Sequence, residues 1–269
     1  MKKSNKIIQS EVIANHCVAA DHYAIELSFA SLSSLSKSII PGQFFMVKVQ
    51  NNTLDPLLKI PLSVHNVDKD KLTLLYRVVG RATGILSAKR TGEIIEILGP
   101  LGNGFDLTLS TNAEKIIIVG GGCGVAPLYY LAKKIAKQHT TKKIVACLGA
   151  LNNELLAGVD EFQQLEVETY TATDDGSRGY HGNVISLLRE QQEFLKNSFI
   201  YASGPKRMLF ELKKFCDEHK ISAQVSLEEY MACGIGVCLG CAVDTIGGYK
   251  LCCKDGPVFN IEAIPYDKR

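Results

Sequence analysis

The 269-residue chain lacks the features that mark several simple classes of protein. No apolar run approaches the roughly 20 residues that a membrane helix needs, and no signal-peptide-like stretch follows the basic N-terminus. The formal net charge is only +2, so the chain has no basic field large enough to collect nucleic acid. Low-complexity tracts and internal repeats are also absent. We therefore expect a cytoplasmic globular protein that binds neither membranes nor nucleic acid.

Residue arrangements for hydrolysis are missing as well. The six histidines are dispersed along the chain, and no Ser-His-Asp or paired-carboxylate set can be assembled from spacing. We therefore assign no catalytic acid, base or nucleophile.

Residues 1–108 contain short segments of the kind that form β-strands. The segments richest in β-branched and apolar residues are 43–49, 72–79 and 93–98. Glycine- and proline-containing turns separate them, and no long helical period intervenes. This pattern predicts an N-terminal antiparallel β-barrel domain spanning 1–108.

The pattern changes to alternating strands and helices over residues 109–225. Strands are predicted at 116–119, 143–150, 167–173 and 198–205, with helices at about 126–138 and 206–220. Alternation of this kind predicts a central doubly wound parallel sheet with helices. From residue 226 to 269 the chain is rich in glycine and cysteine, which predicts a small third unit. The fold class is thus mixed β and α/β.

Nine cysteines is a high number, and their distribution is uneven. Four are scattered singly, and we expect them to be small buried hydrophobic residues: Cys17, Cys123, Cys147 and Cys216. The other five lie near the C-terminus: Cys233, Cys238, Cys241, Cys252 and Cys253. In a reducing compartment such a cluster indicates metal binding before disulfides.

The spacing Cys233-x4-Cys238-x2-Cys241 is that of plant-type [2Fe–2S] ferredoxins, which use a fourth cysteine downstream. A loop wrapped around a cluster needs backbone angles that glycine adopts most easily, and the interspersed glycines are Gly234, Gly236 and Gly240. Structural zinc is the alternative, although zinc sites usually have two short Cys-x2–4-Cys arms. Spacing alone leaves the fourth ligand open between Cys252 and Cys253.

Two glycine-bearing turns follow predicted strands of the parallel sheet. The sequence GGGCG at 120–124 precedes a helix and suits a phosphate, but Val125 breaks the G-x-G-x-x-G pattern and a simple tight turn is equally compatible. A second turn, ASGP at 202–205, follows another strand. Loops after parallel strands converge at one sheet edge, so the pair together predicts a nucleotide site. Polar residues of the barrel, such as Arg77, are by themselves compatible with ordinary surface positions.

Four longer motifs carry a family resemblance over nearly the whole chain. They are GPLGNGF (99–105), GGGCGVAPL (120–128), TDDGSRGYHGNV (173–184), and SLEEYMACGIGVCLGC (226–241) followed by CKDGPVF (253–259). With the order barrel, nucleotide fold and cysteine cluster, the chain resembles the ferredoxin–NADP reductase superfamily. Within it, the chain is most similar to electron-transfer subunits of NAD-dependent (class 1B) dihydroorotate dehydrogenases.

The resemblance implies a set of site residues. It implies that Cys253 is the fourth ligand beside Cys233, Cys238 and Cys241, and that Cys252 is not a ligand. It places FAD contacts at Ile60, Pro61, Leu62, Ser63, Leu75, Tyr76, Arg77, Ala82 and Thr83. It places NAD contacts at Gly120, Gly121, Gly122, Gly124, Gly204 and Pro205.

The chain departs from the family pattern at three positions. The flavin motif Arg-Pro-x-Ser has Ile60 in place of its arginine, so a guanidinium that would grip the FAD pyrophosphate is missing. Ala82 replaces a glycine, and Ser203 stands where relatives often have cysteine. We expect weaker FAD binding from the first change; Lys59 is the nearest alternative charge.

The resemblance implies an oxidoreductase subunit that transfers electrons between NAD, its own FAD and its own [2Fe–2S] cluster. The implied partner is an FMN-bearing catalytic subunit that oxidises dihydroorotate in pyrimidine biosynthesis, in a heterotetramer with two copies of each chain. Two alternatives remain open. One is an NAD(P)H-dependent reductase subunit for another acceptor, such as a sulfite reductase, a hydrogenase or a ferredoxin. The other is a zinc-stabilised nucleotide-binding regulator.

Overall fold

The structure, a computed structural model, describes residues 6–50, 55–138 and 142–266. Its N-terminal part is a closed antiparallel barrel with the strand order β1-β2-β5-β4-β3-β6. The strands are β1 (Lys6–Ala19), β2 (His22–Ser28), β3 (Phe44–Lys48), β4 (Ile60–Asp68), β5 (Lys71–Arg77) and β6 (Ile94–Leu101). Two short helices accompany them, α1 (Leu32–Leu35) and α2 (Arg81–Ser87). The predicted barrel is confirmed.

Alternation of side chains along the strands separates the barrel interior from its outer wall. On β3 and β4 the interior side chains are Phe45, Val47, Leu62 and Val64, all buried in one apolar cluster. Burial of each apolar side chain of this type stabilises the folded barrel by about 1.5–3 kcal/mol. Phe44 and Met46 point to the opposite side, into a different cluster that includes C-terminal cysteines.

The central sheet has seven strands in the order β10-β9-β8-β7-β11-β12-β15. Its strands are β7 (Lys115–Gly121), β8 (Lys143–Ala150), β9 (Glu168–Thr173), β10 (Tyr180–His181), β11 (Ser198–Ser203), β12 (Ala223–Ser226) and β15 (Val258–Asn260). All neighbours pair in parallel except β12 with β15. From β7 the chain first adds strands on one side and then returns to the other, so the switch point lies between β7 and β11.

Helices cover both faces of this sheet, which confirms the predicted doubly wound fold. They are α3 (Ala126–Gln138), α4 (Val159–Gln164), α5 (Val184–Glu190) and α6 (Lys206–His219). Ile116 and Ile118 of β7 pack with residues of α3 and α4, whereas Ile117 and Val119 pack with residues of α5 and α6. None of the helices in the described part of the chain is long and apolar enough to cross a membrane.

The cysteine-rich region contains a two-stranded hairpin of β13 (Ala242–Val243) and β14 (Lys250–Leu251). It packs against the outer wall of the barrel through Cys241, Val243, Cys252 and Cys253. The sequence did not indicate that β15 joins the central sheet as an antiparallel edge strand. The division at residues 108 and 225 stays a prediction.

The four scattered cysteines differ in their surroundings. Cys147 and Cys216 are buried in the sheet cluster, as predicted, and burial raises the pKa of each thiol to about 12. Cys123 is half-buried. Cys17 is exposed on β1, so the expectation of burial was wrong there. The outer position of a half-exposed barrel strand explains the difference.

Candidate functional site

The first predicted segment, residues 60–63, begins β4 at the barrel wall. Ile60 and Leu62 face the barrel interior, where Ile60 packs against the core cluster. Pro61 and Ser63 point outward and are half-buried. In the register with β3, Pro61 lies opposite Met46 and Ser63 lies opposite Phe44. Pro61 and Ser63 on the outer wall, and Ile60, which is half-buried at the first position of β4, are the residues of this segment whose side chains a ligand could contact.

The second predicted segment ends β5. Leu75 is buried against the sheet cluster and Tyr76 in the barrel, where its hydroxyl donates to Asn15 Oδ1 at 3.0 Å. Burial raises the pKa of Tyr76 far above its ordinary value. Arg77 differs: its Nε is buried without a hydrogen-bond partner among the described residues, and its guanidinium is 3.9 Å from the Asp21 carboxylate. An unpaired buried donor on a cation fits an anionic ligand such as a pyrophosphate.

The third predicted segment lies in the first turn of α2. The Thr83 hydroxyl accepts hydrogen bonds from the N–H groups of Val79 and Gly80 at 3.0 and 3.1 Å and donates to the Gly80 carbonyl. It thus holds the turn that leads into the helix. Ala82 is half-buried and packs against the barrel cluster. A Cβ built on Gly80 would meet nothing within 4 Å, so this turn borders open space.

Lys59 does not replace the missing flavin-motif arginine. Its Nζ lies 3.0 Å from Glu96 Oε1 on β6, and the two charges neutralise each other. Arg81, in the same neighbourhood, is paired with Asp55 at 2.7 Å. Arg77 is therefore the cation of this region whose donors are least satisfied.

The two glycine turns of the sheet meet at the switch point. A Cβ on Gly124 would lie 2.4 Å from the Ser203 carbonyl oxygen and 2.5 Å from the Gly204 nitrogen, so only glycine fits. Met208 of α6 crowds Gly121 and Gly204 in the same way, and Pro205 begins that helix. Gly120 is also closely packed, against Leu148. The structure thus brings the two turns together, and close packing accounts for most of these glycines.

Gly122 is the member of the loop that borders open space. Its φ is +53°, and an added Cβ would meet nothing within 4 Å. The backbone conformation, rather than packing, favours glycine here. This position leaves room for a ligand to approach the start of α3.

Sequence reasoning missed a polar group at this edge of the sheet. Burial, with the Glu228 charge nearby, raises the pKa of the Cys123 thiol to about 12, although the Arg77 backbone beside it acts in the opposite direction. Glu228 follows β12, and burial raises its pKa as well. Ser203 is 1% exposed, and its Oγ has no partner among the described residues. The sequence pointed to this place only through the expectation that the loops after the predicted strands 116–119 and 198–205 converge at one sheet edge.

The four predicted ligand cysteines form two pairs. The backbone N–H of Cys238 donates to Cys233 Sγ, and the backbone N–H of Cys253 donates to Cys241 Sγ, each at 3.4 Å. Within the described ranges, no group of three or more His, Cys, Asp or Glu side chains could hold a single metal ion. A [2Fe–2S] cluster needs two thiolate ligands on each of its two irons, and two pairs of cysteines match that need.

Backbone N–H groups point at these sulfur atoms. Cys233 Sγ accepts from three N–H groups, each at 3.4 Å, and Cys253 Sγ accepts from Gly236 N–H at 3.1 Å. Burial opposes ionisation of Cys233, but these hydrogen bonds outweigh it and lower the pKa of its thiol to about 6. Thiolate stabilisation by aimed N–H groups is what a cluster site needs. The residues therefore fit the group.

Two of the three glycines between the cysteines have the backbone conformation for which glycine was predicted. Gly234 has a φ of +70°, and an added Cβ would lie 2.4 Å from Met46 Cγ; Gly236 has a φ of +82°. Gly240 lies outside the left-handed region, and an added Cβ would only touch Cys238 Sγ at 3.7 Å. The expectation that this position needs a backbone conformation special to glycine was therefore wrong. The left-handed turn belongs to its neighbour Leu239 instead.

Cys252 is fully buried and turned away from the pairs. Its Sγ donates to the Leu227 carbonyl at 3.4 Å. This orientation supports the assignment of Cys253 as the fourth ligand.

Comparisons with known proteins agree with this geometry. A family model described as the iron–sulfur cluster binding domain of dihydroorotate dehydrogenase B matches residues 228–265, and one described as the oxidoreductase NAD-binding domain matches residues 118–214. The dihydroorotate dehydrogenase B (NAD(+)) electron transfer subunit of Desulforamulus reducens is 37% identical, covering 95% of this chain and 97% of that protein. The chain belongs to this family of electron transfer subunits. The subunit of the same name from Geobacillus sp. is 39% identical over 93% of this chain and 95% of its own length.

Solved structures share the fold. The NADH-dependent reduced ferredoxin-NADP oxidoreductase superposes with a TM-score of 0.84 at 30% identity, covering 96% of this chain and 90% of that one. The ferredoxin-NADP+ reductase of Plasmodium falciparum, at 13% identity, has a TM-score of 0.66 over 80% of this chain and 90% of its own. The predicted family, fold and oxidoreductase class are confirmed, and the matched domains agree with the predicted cofactors FAD, NAD and an iron–sulfur cluster.

Proposed function

We propose that this chain carries electrons between a dihydroorotate-oxidising catalytic subunit and NAD, through its own FAD and [2Fe–2S] cluster. NADH exchanges electrons in pairs and an iron–sulfur cluster exchanges them singly, so a flavin is needed between them. Net flow would run from dihydroorotate to NAD in cytoplasmic pyrimidine biosynthesis. The family name implies a catalytic partner chain. We propose that this partner bears FMN and that two copies of each chain form a heterotetramer.

One observation carries the proposal: a single strand separates the candidate flavin wall from the cysteine loop. Met46 of β3 lies opposite Pro61 in the barrel register, and its Cγ is 2.4 Å from where a Cβ of Gly234 would be. Phe44, opposite Ser63, also contacts the cluster that contains the C-terminal cysteines. A flavin against Pro61 and Ser63 would thus lie close to the sulfur pairs.

The candidate dinucleotide loop meets the same wall from the other side. The end of β5 lies against the turn that follows β7, with the Arg77 backbone beside Cys123. In this arrangement Arg77 would bind the FAD pyrophosphate and the open position at Gly122 would admit NAD. The cysteine pairs 233/238 and 241/253 would each hold one iron.

Exposed apolar residues near the cysteine loop support partner docking there. Val237 and Leu239 flank Cys238 and are 73% and 63% exposed, and Tyr249 at the hairpin turn is 80% exposed. Large exposed apolar side chains grouped in one segment are typical of interaction surfaces. Docking at this segment would place the partner's acceptor next to Cys238, the exposed cysteine of its pair.

The decisive experiment is to purify this protein anaerobically together with its natural partner and then to quantify iron, zinc and flavin. We expect two irons and one FAD per chain, together with NADH-dependent reduction of an artificial acceptor that is lost when FAD is removed. Zinc, no metal, or full activity without flavin would contradict the proposal.

A second candidate function is a reductase subunit for another acceptor. The similarity to the NADH-dependent reduced ferredoxin-NADP oxidoreductase, at 30% identity, favours considering it. Reconstitution distinguishes the two, because only the first predicts dihydroorotate-dependent reduction of NAD when the dihydroorotate-oxidising subunit is added.

A further inference from the structure

A buried histidine joins the candidate flavin strand to the candidate dinucleotide helix. His65 lies on β4, two residues after Ser63, and is 1% exposed. It faces the sheet rather than the barrel interior. Its Nδ1 lies 2.9 Å from the carbonyl oxygen of Ala126, the first residue of α3 and two residues after Gly124.

The other side of the ring reaches a second helix. His65 Nε2 lies 3.0 and 3.1 Å from the two carboxylate oxygens of Glu161 in α4. The imidazole also stacks on Tyr129 of α3, with ring centroids 5.1 Å apart. The His65 ring therefore contacts α3 through Nδ1 and through one face, and contacts α4 through Nε2.

Both edge partners are hydrogen-bond acceptors. The Ala126 carbonyl can only accept, so the ring donates to it from Nδ1, while Nε2 faces the Glu161 carboxylate, which is 40% exposed and keeps contact with solvent. Removal of the Glu161 carboxylate would leave the buried Nε2 without its partner.

Other contacts between the barrel and the parallel-sheet region lie nearer the surface. Lys133 Nζ of α3 donates to Asn66 Oδ1 of β4 at 3.1 Å, and the Ala20 N–H donates to the Glu154 carbonyl at 2.8 Å. Neither fixes β4 at two opposite edges of one ring. His65 is thus the contact best placed to fix the distance between the residues after Ser63 and the loop before Ala126.

We infer that His65 is a positioning residue, which with Glu161 holds the FAD-binding strand against the NAD-binding helix at the separation that hydride transfer requires. The inference rests on the proposed function. A displacement of about 1 Å between reacting groups can lower a rate constant about 100-fold, so a small relaxation at this joint has a measurable effect.

The test compares His65→Gln and Glu161→Ala with the matched control His16→Gln, which changes an exposed histidine on β1. In single-turnover experiments on the FAD-loaded protein, we expect both joint variants to lower the rate constant for flavin reduction by NADH about tenfold or more. FAD affinity, measured by fluorescence, should change less than about twofold. The double variant should be no slower than His65→Gln alone, because the two residues act as one unit.

A second measurement needs neither cofactor nor activity. In the apoprotein, hydrogen exchange of the backbone amides in the first turn of α3 should be about tenfold faster in His65→Gln than in the control, because the hydrogen bond between the imidazole and the Ala126 carbonyl is lost. Glu161→Ala changes a partly exposed residue, so it serves if His65→Gln does not fold.

The outcomes separate the inference from the proposed function. A wild-type flavin that NADH does not reduce contradicts the proposed function. A wild-type flavin that is reduced normally, with joint variants that are less stable but equally fast, overturns the inference alone.

Discussion

The substitution Ile60→Arg tests how this chain holds FAD with fewer positive charges than its family motif provides. Lys59 is paired with Glu96, whereas the buried Nε of Arg77 has no hydrogen-bond partner among the described residues. A hydrogen bond to a charged group contributes about 1.5–3 kcal/mol, and each 1.4 kcal/mol is a factor of ten. We therefore expect Ile60→Arg to tighten FAD binding roughly 10- to 100-fold, measured by fluorescence titration of the deflavinated protein.

The control is Ile94→Arg, which adds the same charge at an exposed isoleucine on β6. If long-range attraction were responsible, both variants would bind FAD more tightly at low salt and lose the gain at high salt. An unchanged or weaker affinity in a folded Ile60→Arg protein would refute the reasoning, since it would mean that the pyrophosphate does not pass over the start of β4.

Three further predictions concern the cysteine region, its surface and the C-terminus. Cys253→Ser should abolish the visible absorbance of the cluster and bound iron, whereas Cys252→Ser should keep both; the reverse result would exchange the ligand assignment. Val237→Glu should weaken binding of the catalytic subunit about tenfold or more in a pull-down or calorimetric titration, with NADH–dye activity unchanged; equal binding would move the docking surface elsewhere. A hydrogen bond from Tyr266 lowers the pKa of Asp217, so the ionised Asp217 stabilises the fold above about pH 4 and this stabilisation is lost as the pH falls further. The thermal unfolding temperature of Asp217→Asn should therefore depend less on acid pH than that of the wild type. Equal dependence would contradict this.

Sequence reasoning succeeded where local patterns determine structure. The helix predicted at 126–138 is observed as Ala126–Gln138, and the strand predicted at 143–150 as Lys143–Ala150. Both have strong hydrophobic periodicity with clear ends. The four candidate ligand cysteines could be predicted because their spacing and the motif after Cys253 are local features, and their ligand role stays a prediction.

The missed features depend on contacts between distant segments. His65 and Glu161 are 96 residues apart, and neither lies in a motif. The pairing of β15 with β12 depends on how the cysteine-rich region packs, which no strand pattern of three residues reveals.

Ile60 also shows why a ligand-binding residue can be replaced by an apolar one. It is the first residue of β4 and shares the interior face with Leu62, so an isoleucine there adds to the barrel core. A half-buried side chain of this size contributes about 1 kcal/mol. Ile60→Arg should accordingly lower the free energy of unfolding of the FAD-free barrel by about that amount while it strengthens FAD binding. Lower stability of the FAD-free protein together with tighter FAD binding would show that the substitution exchanges barrel stability for flavin affinity. A substitution that merely damages the strand would lower both the stability and the affinity.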